Sequence, residues 1–99
     1  MKERRVVLAP EAAEDLSELY DWVAAQASPE VAIGYLERVE AFCRGLSLAS
    51  ERGRLRSDIR PGLRITGFER RLTIAFVVDE EAVTVLRVFT AGRDWETSF

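Results

Sequence analysis

The sequence predicts an α+β fold: an N-terminal strand, an antiparallel helical hairpin and a three-stranded antiparallel meander, with the helices packed on one face of the sheet. Three observations predict it. Residues 62–90 hold three runs whose side chains alternate with the period of two that an extended chain imposes. Residues 11–46 instead repeat their apolar side chains at helical spacing, in two blocks. The chain is 99 residues long, enough for a single domain over 1–99 whose one core has little to spare.

Arg5-Val6-Val7-Leu8 is a short strand, and Pro10 ends it. Proline is well tolerated at a first helical position, and Glu11, Glu14 and Asp15 then lie where a helix dipole favours negative charge. Leu16, Leu19, Tyr20, Val23 and Ala27 form one apolar stripe. Trp22 sits on its border, either as a half-buried edge tryptophan or as an aromatic anchor for a partner. Ser28 is the expected N-cap of a second helix, with Pro29 at its first position. Ala32, Tyr35, Leu36, Val39, Phe42, Cys43 and Leu46 give this helix a broader apolar face. So short a connection makes the two helices an antiparallel hairpin. Ser50-Glu51-Arg52-Gly53-Arg54 lacks apolar periodicity and is expected to be a connecting loop.

In the meander, Leu63, Ile65 and Gly67 alternate with Arg64, Thr66 and Phe68. Leu72, Ile74, Phe76 and Val78 share the face that the helices cover, which leaves Arg71, Thr73, Ala75 and Val77 on the opposite one. Asp79-Glu80-Glu81 is a tight connection, so the last two runs pair as an antiparallel hairpin. In the last run Ala82, Thr84, Leu86 and Val88 share one face, and Val83, Val85, Arg87 and Phe89 the other. Alternation alone leaves both assignments open. The one adopted turns Leu86 and Val88 to the core and Arg87 and Phe89 outward.

Composition bounds the function. Apolar residues at 47% and charged residues at 31% are ordinary for a soluble globular protein. No apolar run approaches the roughly 20 residues of a membrane span, and no secretory leader is expected. Cys43 stands alone, which fits a reducing cytoplasm, and histidine is absent, so neither a Cys/His metal site nor a cofactor is expected. Between Glu11 and Arg44 eight acids face two bases, a poor surface for nucleic acid. The charge then inverts, with seven arginines between Arg52 and Arg71 against Asp58 and Glu69. Arginine suits forked hydrogen bonding to carboxylate or phosphate. A net charge of −3 argues against a free-standing, non-specific nucleic-acid binder, while a local basic face remains suited to an acidic partner.

Four pieces, in this order along the chain, resemble the RelE/ParE superfamily of bacterial toxin–antitoxin toxins. They are Leu8-Ala9-Pro10-Glu11-Ala12-Ala13-Glu14-Asp15-Leu16, Ala32-Ile33-Gly34-Tyr35-Leu36, Arg60-Pro61-Gly62-Leu63-Arg64, and Val85-Leu86-Arg87-Val88-Phe89 with Gly92-Arg93-Asp94-Trp95. The resemblance implies a ParE-like toxin of a type II pair, one that inhibits DNA gyrase by binding it. The alternatives are a RelE-like ribonuclease acting on messenger RNA at the ribosome, and a non-toxic binding module of the same fold.

Ribonuclease chemistry needs a base, an acid and cations around the phosphate. The chain has no histidine, its one lysine is Lys2, and Tyr20 and Tyr35 belong to helical stripes. Asp94 and Glu96 are possible bases without an acid, and arginine is a poor proton donor. No catalytic residue is assigned. Arg64, Arg87, Arg93 and Trp95 are the candidates for toxicity and target binding. The resemblance also implies a ParD-like antitoxin, small and partly disordered. Trp22, Tyr35 and Phe42 would line its site and Arg54 and Arg56 would suit its acidic stretches.

Overall fold

The computed structural model describes residues 3–91 and 94–99. Five strands, β1 (Arg5–Leu8), β2 (Arg54–Leu55), β3 (Arg64–Phe68), β4 (Leu72–Val78) and β5 (Ala82–Thr90), form one sheet in the order β1-β5-β4-β3-β2. β1 runs parallel to β5, and every other pair is antiparallel. Helices α1 (Pro10–Gln26) and α2 (Pro29–Gly45) lie between β1 and β2 in the chain. A single 3-10 turn, Trp95–Ser98, follows β5.

The helix boundaries come from local chemistry. Pro10 opens α1 at a position whose N–H has no helical partner in any case, and the amide of Ala27 closes the helix on Val23 O at 2.8 Å. The Ser28 hydroxyl accepts the Val31 N–H at 3.1 Å, and Pro29 supplies the first turn of α2. Only Ala27 and Ser28 separate the helices, so the hairpin is antiparallel, as its spacing predicts.

The hairpin covers one face of the sheet. Leu16, Leu19, Tyr35, Val39, Cys43 and Leu46 pack there against Leu72, Ile74, Phe76, Val83, Val85 and Val88. A smaller cluster of Leu63, Ile65, Ala75 and Phe89 fills the far face, with Ile59, Leu86 and Trp95 packed around it.

Three expectations are corrected. Arg54 and Leu55 do not belong to a loop: they pair with Ile65 and Arg64 as an edge strand. Gly53 permits this, because its φ is +80° and a Cβ there would run into the carbonyl of Ile65. Arg71, placed on the far face by alternation, closes the β3–β4 turn and lines the helix side. The third correction concerns β5. Ala75 pairs with Arg87 and Phe76 with Val85, so Leu86 is an extra residue, a β-bulge. Val83, Val85 and Val88 therefore face the helices, while Leu86 and Phe89 lie on the far side. Val88 takes its expected face and Leu86 does not; Phe89 points away from the helices yet is fully buried.

The β3–β4 turn has an unusual sequence. Glu69 and Arg70 both have positive φ, at 50° and 59°, and the Arg71 N–H donates to Phe68 O at 3.0 Å. Turns of this shape favour Asn-Gly. Here Arg38 of α2 grips the Glu69 carboxylate with two hydrogen bonds of 3.0 and 3.2 Å.

Candidate functional site

Two surfaces gather the candidate residues. The first is a groove of about 960 Å³ on the helix side, between the tip of the hairpin and the end of β4 and β5. Its apolar walls come from Leu19, Trp22 and Val23 of α1, Leu72 of β4 and Val88 of β5, with Tyr35 of α2 between them. Trp22 is 61% exposed, so it stands free at the rim rather than half-buried. Tyr35 is only 8% exposed, and its hydroxyl has no hydrogen-bond partner among the described residues. Burial pushes the Tyr35 phenol up, with the Glu69 charge adding to the effect and Arg71 and Arg38 opposing it, so the hydroxyl stays protonated. The Arg38 guanidinium lies 5.1 Å from the ring centroid. Phe42 is set apart from the groove: it packs on Phe68 at 5.1 Å, with Arg52 4.9 Å from its ring.

The second surface is the far side near the C-terminal turn. Arg56 donates to Asp58 through Nε and a terminal nitrogen, both at 2.9 Å, and to Glu96 at 2.9 Å. Its guanidinium lies 5.4 Å from the Trp95 ring, and Phe99 meets Phe89 edge-on at 6.1 Å. The Arg56 ion pairs thus hold the turn over the small cluster. Arg54, next to it in sequence, is exposed on β2. Arg93 lies outside the described residues.

The other two arginines are committed within the chain. Arg64, on the helix side of β3, donates to Glu51 O at 2.6 Å and to Arg52 O at 3.3 Å. Arg87 makes a forked pair with Asp15 of α1, at 2.8 and 3.0 Å, and its guanidinium lies 4.8 Å from the Phe89 ring. The same carboxylate accepts the Val88 N–H at 2.9 Å. β1 pairs with β5 only as far as Val85, so beyond it Asp15 serves the β5 edge in place of a strand. The carboxylate is 8% exposed, and the hydrogen bond from Asp15 holds Arg87 charged. Sequence reasoning gave Asp15 no role beyond the helix dipole. One signal was available: Arg87 is the sole charge within the buried run from Val83 to Phe89, and a buried charge requires a partner.

The arrangement favours binding over chemistry. Among the described residues no group of His, Cys, Asp and Glu could hold a metal ion. Glu96 is engaged by Arg56, and Tyr35 is on the helix side of the sheet.

The family model described as the ParE toxin of the type II toxin–antitoxin system, parDE, matches residues 6–95. The chain belongs to this family. Among solved structures, this ParE-family chain is similar to one from the chromosomal ParDE toxin–antitoxin system of P. aeruginosa. That chain is 24% identical, with a TM-score of 0.77 over 89% of this chain and 96% of the other. A second likeness is to a chain of the toxin–antitoxin complex RelBE2 from Mycobacterium tuberculosis. It is 23% identical, with a TM-score of 0.66 over 94% of this chain and 97% of the other. Both likenesses are of fold. Comparison with curated proteins gives no match. Family and fold thus agree with the α+β architecture and the toxin resemblance read from the residues, while no described helix is long and apolar enough to cross a membrane.

Proposed function

We propose that this ParE-family toxin acts in the cytoplasm by binding DNA gyrase, without a catalytic set of its own, and that a small ParD-like antitoxin neutralises it. The placement of proton-transferring groups supports this reading. A nuclease would need an acid and a base beside a bound phosphate. Both tyrosines lie on helices, Glu96 is tied to Arg56, and Arg64 and Arg87 bond to groups of the chain itself. What remains on the far side is a docking surface. In this reading Trp95, with Arg93, meets the target, and Arg64 and Arg87 hold the sheet edges that shape that surface. On the antitoxin side, Trp22 and Tyr35 line the groove, Phe42 lies along α2, and Arg54 and Arg56 meet acidic stretches.

The test is direct. Purified protein incubated with gyrase and relaxed plasmid should block supercoiling, and with programmed ribosomes it should leave messenger RNA whole. Undisturbed supercoiling together with site-specific RNA cuts would favour the RelE-like reading. Normal growth on induction without antitoxin would favour a non-toxic binding module. Trp95→Ala should abolish toxicity yet leave antitoxin binding intact; a fully toxic variant would remove Trp95 from the target surface.

A further inference from the structure

The helix-side groove holds one donor without an acceptor and an uneven distribution of charge, and the two together describe its occupant. A buried hydroxyl with no partner forfeits the hydrogen bond it makes in water, so the free chain bears a penalty at Tyr35 that a suitable acceptor would remove. Around that hydroxyl, Arg38 and Glu69 satisfy each other. Arg71 lines the same wall, close enough for its charge to act on both Tyr35 and Glu69, and no ion pair holds it among the described residues. This wall therefore has one positive charge in surplus. On the α1 wall Asp15 is neutralised by Arg87, whereas Glu18 is exposed and leaves one negative charge in surplus. The floor between them is apolar. At about 960 Å³ the groove stands at the upper limit of small-molecule pockets, and it is open along its side, which suits a segment of polypeptide.

We propose that the groove binds an apolar segment of the antitoxin that sets a carboxylate against the Tyr35 hydroxyl and Arg71, with a basic side chain toward Glu18. This rests on the toxin–antitoxin reading above and adds to it the contact that fixes the direction of the bound segment. The carboxylate accepts a hydrogen bond from the phenol and pairs with the guanidinium, and the basic group across the groove keeps the segment from binding reversed.

The experiment uses the full chain and the small antitoxin protein encoded beside it, with affinity measured by calorimetry. Tyr35→Phe should weaken binding roughly 10- to 100-fold, the range for losing one hydrogen bond to a charged acceptor. Its thermal midpoint as the free chain should stay equal or rise, since the atom removed has no partner there. Arg71→Gln should also weaken binding and flatten its dependence on salt. Changing one antitoxin acid to its amide should then add little to the effect of Tyr35→Phe. Wild-type affinity in Tyr35→Phe, a lowered midpoint of that variant, or a free chain that dimerises through the groove would each overturn the proposal. Failure of the wild-type chain to bind the antitoxin at all would instead overturn the toxin–antitoxin reading, and the proposal with it.

Discussion

The two faces of the sheet are closed by different means. On the helix side, thirty-four residues of hairpin in two 17-residue helices lie over a continuous apolar floor. On the far side, four buried residues are covered by a short loop and one 3-10 turn, held by Arg56 to Asp58 and Glu96. Broad apolar burial is insensitive to pH and salt, whereas exposed ion pairs weaken with both. The hairpin side is thus the frame, and the far side is the part that can be loosened without unfolding it.

The largest effect should separate the faces outright. Phe76 and Phe89 are both fully buried, one in each cluster. Phe76→Ala should cost about 4 kcal/mol, and Phe89→Ala nearer about 3 kcal/mol, because a thin cover can settle into the space left behind. Urea unfolding measures both, and equal losses would break the comparison. Next comes the joint between α1 and β5. Asp15→Ala should cost about 3 kcal/mol, since it strands a charged Arg87 and leaves the Val88 N–H without an acceptor. A loss below about 1 kcal/mol, which is what an exposed pair contributes, would show that water replaces Asp15.

The smallest effect is in acid. Hydrogen bonding to Arg56 holds the Asp58 carboxyl below its usual range. A depressed carboxylate contributes stability above its unfolded value of about 3.9 and loses it as pH falls through the lower folded value. The far side should therefore loosen below about pH 4 while the hairpin core persists. In a Trp22→Phe variant, Trp95 fluorescence should change at a higher pH than the helical circular dichroism signal. Coincident transitions would mean that the two faces form one unit.

The sequence made some of this legible and hid the rest for physical reasons. The faces of β4 were readable because Leu72, Ile74 and Phe76 alternate with less apolar neighbours. The helix starts were readable because Pro10, Ser28 and Pro29 signal them locally. β5 was not, since Val83 to Phe89 is apolar on both faces and a bulge at Leu86 leaves no compositional mark. β2 has two residues, too few for a period, and depends on Gly53 lying against the Ile65 carbonyl. Of the site, Tyr35 and Trp22 were found on the helical stripe, and their groove joins them to strand residues far away in sequence. Arg87 drew notice as a lone charge, but eight acids in the helical layer could have been its partner.

Asp15 has a consequence beyond its ion pair. Where β1 stops at Leu8, the rim of β5 would otherwise present a bare donor at Val88, the sort of seam along which copies of a protein zip into fibres. A carboxylate seated there, with its charge balanced by Arg87, stoppers that seam against self-polymerisation. Replacing it should make concentrated solutions of the chain turbid before the fold itself is lost.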